Sequence, residues 1–184
     1  AIKFAQNEFL IDHAGRSYID ATSSWWCKTL GHNQPKLHQA MIEQMQKFEH
    51  VIFANTTNTK IVELSSKLIN LISHCNRVNY ASDGSCAVEI AVKMSLQANQ
   101  ILGNRRNKLA SLACGYHGET ILTLALSDCS LYSKPFVNLL PEVTSIKDVP
   151  YVSGISDEIW QNCKANNFIK QLEPMADELS CIVL

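Results

Sequence analysis

The chain has 184 residues, 46% of them apolar, with 16 basic and 17 acidic side chains and a formal net charge of -1. That length and apolar share suit a globular domain with a real core, and the balanced charge excludes the electrostatic footprint of a protein that grips nucleic acid or an anionic membrane. No uncharged apolar stretch approaches the roughly 20 residues that cross a bilayer, and Ala1-Ile2-Lys3-Phe4 lacks the basic-then-apolar pattern of a signal peptide, so a cytoplasmic protein acting on small molecules is expected. Phe9 to Ile11, Asp12 to Arg16 and Ser17 to Asp20 predict a hairpin whose turn uses Gly15 for a positive φ. Ser23-Ser24-Trp25-Trp26 follows and reads as extended, with its two indoles pointing opposite ways. A helix is predicted from Pro35, where Leu37, Ala40, Met41, Met45 and Phe48 recur on one face, and a second at about 60–72, where Ile61, Leu64, Leu68 and Leu71 repeat that spacing. The stretch between them, 53–59, is polar and rich in capping residues.

From there the order becomes strand (77–81), helix (85–102), strand (108–113), helix (117–127), the alternation of βαβ units on a parallel sheet. In the first of these helices Val88, Ala91, Val92, Ser95 and Leu102 are expected to face inward, and Glu89 to pair with Lys93. Residues 128–154 lack a clear period and read as a long loop. Residues 157–179 read as mainly helical, interrupted near Pro174, before a last apolar strand at Cys181 to Leu184. A chain that begins without Met and stops on an apolar strand is expected to be a piece of a longer enzyme. Seven cysteines without a Cys-x-x-Cys pair, and histidines without ligand spacing, give no metal site; Arg105-Arg106 with Lys108 reads as a solvated turn.

The chemistry concentrates at two strand-to-helix junctions. At Asp83-Gly84-Ser85 the glycine lets backbone approach a ligand, the Ser85 hydroxyl can donate, and the first-turn amides carry the partial positive charge that favours an anion. Alone, this is a common turn and cap. Thirty residues on, Cys114-Gly115-Tyr116-His117-Gly118 sets an aromatic ring between glycines at the next junction, where it could stack on a planar cofactor. Cys86 and Cys114 read as small packing residues, and His117 as a residue at a helix start without a chemical role. No Gly-x-Gly-x-x-Gly follows a strand, which argues against a Rossmann dehydrogenase.

Taken together, Ser23-Ser24-Trp25-Trp26, Asp83-Gly84-Ser85 and Gly115-Tyr116-His117-Gly118 make the chain resemble the class III pyridoxal-phosphate-dependent aminotransferases over nearly its whole length. The resemblance implies an α/β fold: an incomplete N-terminal part of a fold-type I large domain, three-layer αβα with a mainly parallel sheet. Residues 1–34 would form a hairpin and substrate wall, and 35–184 the front part of the cofactor-binding domain. Pyridoxal 5'-phosphate would be held through its phosphate by Gly84 and Ser85, joined by the Cys86 amide. Tyr116 would stack on the pyridine ring and border the substrate, and Trp25 with Trp26 would wall the carbon chain of a keto acid. Asp83 is compatible with a neighbouring phosphate if it turns away to cap the helix, and Glu119 stands where the family usually has Asp.

The paired tryptophans imply the member of the family that serves biotin synthesis. It moves the amino group of S-adenosylmethionine to 8-amino-7-oxononanoate, giving 7,8-diaminononanoate. A homodimer is implied, with 56–59 as a candidate interface. The Schiff-base lysine, the Asp that pairs with the pyridinium and the Arg that binds the substrate carboxylate would lie beyond Leu184. No catalytic residue is therefore assigned here, and the segment alone is expected to be inactive. The rivals are another ω-amino acid aminotransferase, of ornithine or 4-aminobutyrate type, and a non-catalytic cofactor-binding or dimerising fragment.

Overall fold

The computed structural model describes residues 1–72, 74–149 and 165–184, and its contacts divide the chain into two units, Ala1–Val78 and Asn79–Leu184. Residues 35–78 fall in the first unit.

The first unit carries a three-stranded antiparallel sheet in the order β1 (Ile2–Gln6), β2 (Phe9–Asp12), β3 (Ser17–Ile19). The predicted hairpin is β2 and β3, with Gly15 at φ 78 in its turn. A buried carboxylate shapes that turn. Asp12 accepts the Ala14 N–H at 2.8 Å, the Arg16 N–H at 2.9 Å, the Arg16 Nε–H at 2.8 Å and the Tyr18 hydroxyl at 3.2 Å. β1 is additional to the predicted pair, its alternation Ile2-Lys3-Phe4 being too short to stand out.

Ser23–Trp26, here α1, is not extended. All four residues have positive φ, with Ser24 at (47, 57) and Trp25 at (62, 45). A left-handed turn costs roughly 1–2 kcal/mol per non-glycine residue, and local hydrogen bonds override the extended preference. The Trp26 N–H donates to the Thr22 carbonyl and the Lys28 N–H to the Ser23 carbonyl, both at 2.9 Å, while Asp20 accepts both the N–H and the hydroxyl of Ser24. Both indoles consequently stand exposed, with ring centroids 5.7 Å apart and planes tilted by 53°.

α2 (Pro35–Met45) and α3 (Thr59–Leu71) fall where the periodicity puts them. Pro35 opens α2 in the first turn, where its missing N–H costs nothing, and the Asn58 side chain caps α3 by accepting the Ile61 N–H at 3.0 Å. Neither helix buries a residue: Leu37, Met41 and Met45 of α2, and Leu64 and Leu71 of α3, remain exposed.

The second unit is α/β. Its sheet is parallel, in the order β5 (Thr144–Ile146), β4 (Lys108–Leu112), β6 (Leu179–Val183). α4 (Gly84–Ile101) and α5 (Ile121–Leu126) close its core, in which Val92, Leu109 and Leu126 cluster. Burying each such side chain contributes about 1.5–3 kcal/mol. The Ser95 hydroxyl ties α4 to β6 through the Ser180 carbonyl at 3.0 Å.

Several expectations need correction. Residues 77–81 form no strand, because β-favouring residues make a strand only when a ladder partner is present. Within the expected loop of 128–154, the described part holds α6 (Ser130–Ser133), a 3-10 turn at Lys134–Leu139 and β5, each too short for a period to show; 150–154 lie outside the described residues. The helix expected from His117 starts at Ile121, since Gly118 at φ 128 cannot be helical. Of the helix expected at 157–179, residues 157–164 lie outside the described ones. The rest is α7 (Ala165–Leu172), a 3-10 turn at Glu173–Met175 and the start of β6. Ala91 and Leu102 are exposed rather than inward. Among the described residues no helix is long and apolar enough to cross a membrane.

Asp12 is held below the ordinary carboxylate range chiefly by the Arg16 N–H, and Asp20 chiefly by the Ser24 hydroxyl, Asp20 to about 2. A pKa lowered in the folded state gives stability that is complete above the unfolded value of 3.8 and is lost as pH falls towards about 2. A side-chain NMR titration should therefore place the Asp20 midpoint near 2. A midpoint at or above 3.8 would contradict the hydrogen bonding described.

Candidate functional site

α4 begins where its sequence supplies a cap. Asp83, with extended φ and ψ, accepts the Cys86 N–H on Oδ1 at 2.8 Å and the Ser82 hydroxyl on Oδ2 at 3.0 Å. The Cys86 N–H bond, first among the causes, holds its carboxyl below the usual range. This is the cap that the sequence requires of an aspartate beside an anion site. It also commits the Cys86 amide, leaving the Gly84 end of the helix and the Ser85 hydroxyl to meet a ligand. A Cβ on Gly84 would touch no protein atom within 4 Å, so this end of the helix is open.

The second junction folds back on the first. After β4, Cys114 takes φ 61 and the Gly115 N–H donates to the Leu112 carbonyl at 3.2 Å. Asp128 accepts the Cys114 N–H at 3.2 Å and donates its own N–H to the Gly115 carbonyl at 3.0 Å, while the Ser127 hydroxyl accepts the His117 N–H at 2.9 Å and donates to the Thr123 carbonyl at 2.7 Å. The loop is thus pinned by the end of the helix it precedes. Gly118 then lies against Ser85: a Cβ there would collide with the Ser85 hydroxyl and come within 2.7 Å of its Cβ and 2.9 Å of the Thr123 hydroxyl. Only glycine permits that approach.

The result is one cavity of about 490 Å³ lined by Asp83, Gly84, Ser85, Val88, Tyr116, His117 and Gly118. The Tyr116 ring borders it, more than half exposed, and its hydroxyl donates to Glu119 Oε1 at 3.0 Å. That bond, with burial second, pushes the Tyr116 hydroxyl pKa up and keeps it a neutral donor. Tyr132 meets the ring edge-on at 6.4 Å. An open anion cradle and a flat ring on one cavity fit a phosphorylated planar cofactor. His117 also lines the cavity; among the described residues its Nε2 is buried without a partner, and burial lowers its pKa.

Sequence reasoning missed the residue that joins the two junctions. Glu89, one turn along α4 from Ser85, accepts the Thr120 hydroxyl at 2.6 Å and the Leu122 N–H at 3.1 Å, capping α5 from outside; Lys93 is not its partner. The signal was there: a carboxylate four residues after Ser85, on the face that carries Val88 and Val92. Trp25 and Trp26 belong to the first unit, where a cavity of about 230 Å³ is lined by Asp20, Ser23, Lys28 and His32 but by neither indole.

The family model for aminotransferase class III matches residues 1–184. The adenosylmethionine-8-amino-7-oxononanoate aminotransferase of Helicobacter pylori is 38% identical over 141 residues, which is 76% of this chain and 32% of that protein. The crystal structure of the enzyme of that name from Methanocaldococcus jannaschii superposes with a TM-score of 0.87 at 31% identity, over 100% of this chain and 40% of that one. An amine transaminase from an uncultivated Pseudomonas species, solved in its PLP-bound form, gives 0.86 at 21% identity, over 99% of this chain and 43% of that one, a likeness of fold alone. The chain spans well under half the length of these proteins.

Removing Glu89 should loosen both junctions. Glu89→Ala leaves the Thr120 hydroxyl and Leu122 N–H without their acceptor and should cost about 1–3 kcal/mol in denaturant unfolding. Glu89→Gln, which keeps a carbonyl oxygen, should cost clearly less. Equal effects of the two would show that the acceptor is not what matters.

Proposed function

The chain belongs to the class III aminotransferases, and from that premise we propose that it is the phosphate-holding part of a pyridoxal-phosphate-dependent aminotransferase of biotin synthesis. The whole enzyme would move the amino group of S-adenosylmethionine to 8-amino-7-oxononanoate, giving 7,8-diaminononanoate, in the cytoplasm and as a homodimer. The observation that carries this reading is the single cavity shared by Gly84, Ser85 and Tyr116. The substrate choice is supported by the name that the relatives at 31–38% identity share and by the adjacent tryptophans.

Pyridoxal phosphate, when bound, supplies the electron sink that an amino-group transfer needs. The work of this chain is binding and orientation. The Gly84 N–H and the Ser85 hydroxyl hold the phosphate, helped by the positive end of the 18-residue helix α4. The Cys86 amide joins them only if Asp83 releases it. Tyr116 would stack on the pyridine and border the substrate, its hydroxyl held by Glu119 and its ring in T-shaped contact with Tyr132. Trp25 and Trp26, exposed on their left-handed turn, offer apolar surface to the methylene chain of the keto acid. Thr56 and its neighbours before α3 are the candidate dimer contact.

The test uses the full-length protein. It should show a visible cofactor band abolished by borohydride and form 7,8-diaminononanoate from the two named substrates. Trp25→Ala should raise the KM for the keto acid roughly ten- to hundredfold, the loss of about 1.5–3 kcal/mol of apolar contact, with cofactor content unchanged. Loss of cofactor in that variant would instead make Trp25 a structural residue.

A further inference from the structure

The segment 20–32 is a closed loop with the indole pair at its tip. Its first end is fixed where the Asp20 N–H donates to the Glu8 carbonyl at 2.8 Å, and its last where His32 and Asn7 exchange backbone hydrogen bonds at 2.7 and 3.0 Å. Gly31, at φ 83, makes the second closure possible, since a Cβ there would lie 2.9 Å from the Asn7 carbonyl oxygen. Across the mouth of the loop runs one carboxylate. Asp20 Oδ2 contacts His32 Nε2 at 2.7 Å and accepts the Ser24 hydroxyl at 2.7 Å, while Oδ1 accepts the Ser24 N–H at 2.9 Å. The side chains of Asp20 and His32 are nearly buried, at 7% and 12% exposure.

The turn that presents the indoles is unfavourable for its residues. Ser23, Ser24, Trp25 and Trp26 all hold left-handed φ without a glycine among them, a run that L-residues adopt only when something else fixes it. The tryptophans do not fix it, being about three-quarters exposed. Besides the backbone bonds of Trp26 to Thr22 and Lys28 to Ser23, the side-chain grip on the turn is the pair of Ser24 bonds to Asp20, itself braced by His32.

We propose that Asp20, braced by His32 and bonded twice to Ser24, is a positioning group that sets the Trp25–Trp26 pair for the keto-acid chain. This rests on the reading of the indoles as substrate wall; the positioning itself is readable without it. Two indoles 5.7 Å apart and tilted by 53° couple excitonically and give a bisignate far-UV circular dichroism couplet.

The experiment measures that couplet, cofactor content and keto-acid kinetics together in the full-length enzyme, with Trp26→Phe defining zero couplet. Asp20→Ala should remove most of the couplet and raise the keto-acid KM roughly tenfold, with cofactor content kept and kcat little changed. His32→Gln, which retains a donor towards Asp20, should keep most of both. Ser24→Ala, which loses only the hydroxyl bond, should fall between and serves if Asp20→Ala does not fold. A full couplet in Asp20→Ala, or in Ser24→Ala where that is the variant read, overturns the positioning role. A lost couplet with unchanged KM supports the positioning and overturns the substrate-wall reading.

Discussion

The approach of Gly118 to Ser85 is the constraint on which the candidate cofactor cavity depends. Two junctions, one opening α4 and one between β4 and α5, share a cavity only because Gly118 has no side chain and a φ that no helix allows. That single residue delays α5 to Ile121, sets Tyr116 beside the first turn of α4, and puts Thr120 within reach of Glu89. Glu89 then closes the arrangement from below, so the helix that offers the anion site also caps the helix that follows the ring.

Asp83 adds a second theme, competition for the same amides. The first turn of any helix has more N–H groups than partners, and a phosphate and a capping carboxylate both want them. Here the carboxylate already takes Cys86. A phosphate held at this helix start would therefore rest on Gly84 and Ser85 rather than on the Cys86 amide. In the first unit, too, single buried carboxylates hold turns that residue preference alone would not form: Asp12 beneath the hairpin and Asp20 beneath the indoles.

Periodic elements were legible in the sequence and closures were not. α2, α3 and α4 appear where apolar spacing, Pro35, Asn58 and Asp83 place them, and β4 where its short apolar run does. β5 and α6 escaped because three or four residues carry no period. The run at 77–81 misled because strand propensity without a ladder partner makes no strand. Ser23–Trp26 misled for the opposite reason: its conformation is held by local backbone bonds and by Asp20, four positions from the Ser24 it binds, through hydrogen bonds that no propensity records. The two junctions that share the cavity were readable as motifs, but Glu89, Thr120 and Ser127 act through contacts across 10 to 33 residues, which a linear reading does not weigh.

The claim that joins these observations is that one cradle holds a phosphate at the start of α4 while the ring at 116 faces the attached heterocycle. A crystal structure of the full-length protein with pyridoxamine phosphate bound tests it most directly. The account predicts phosphate oxygens hydrogen-bonded to the Ser85 hydroxyl and the Gly84 N–H, with the Tyr116 ring face against the pyridine. A phosphate seated on another element, or a Tyr116 ring turned away from the heterocycle, would contradict it.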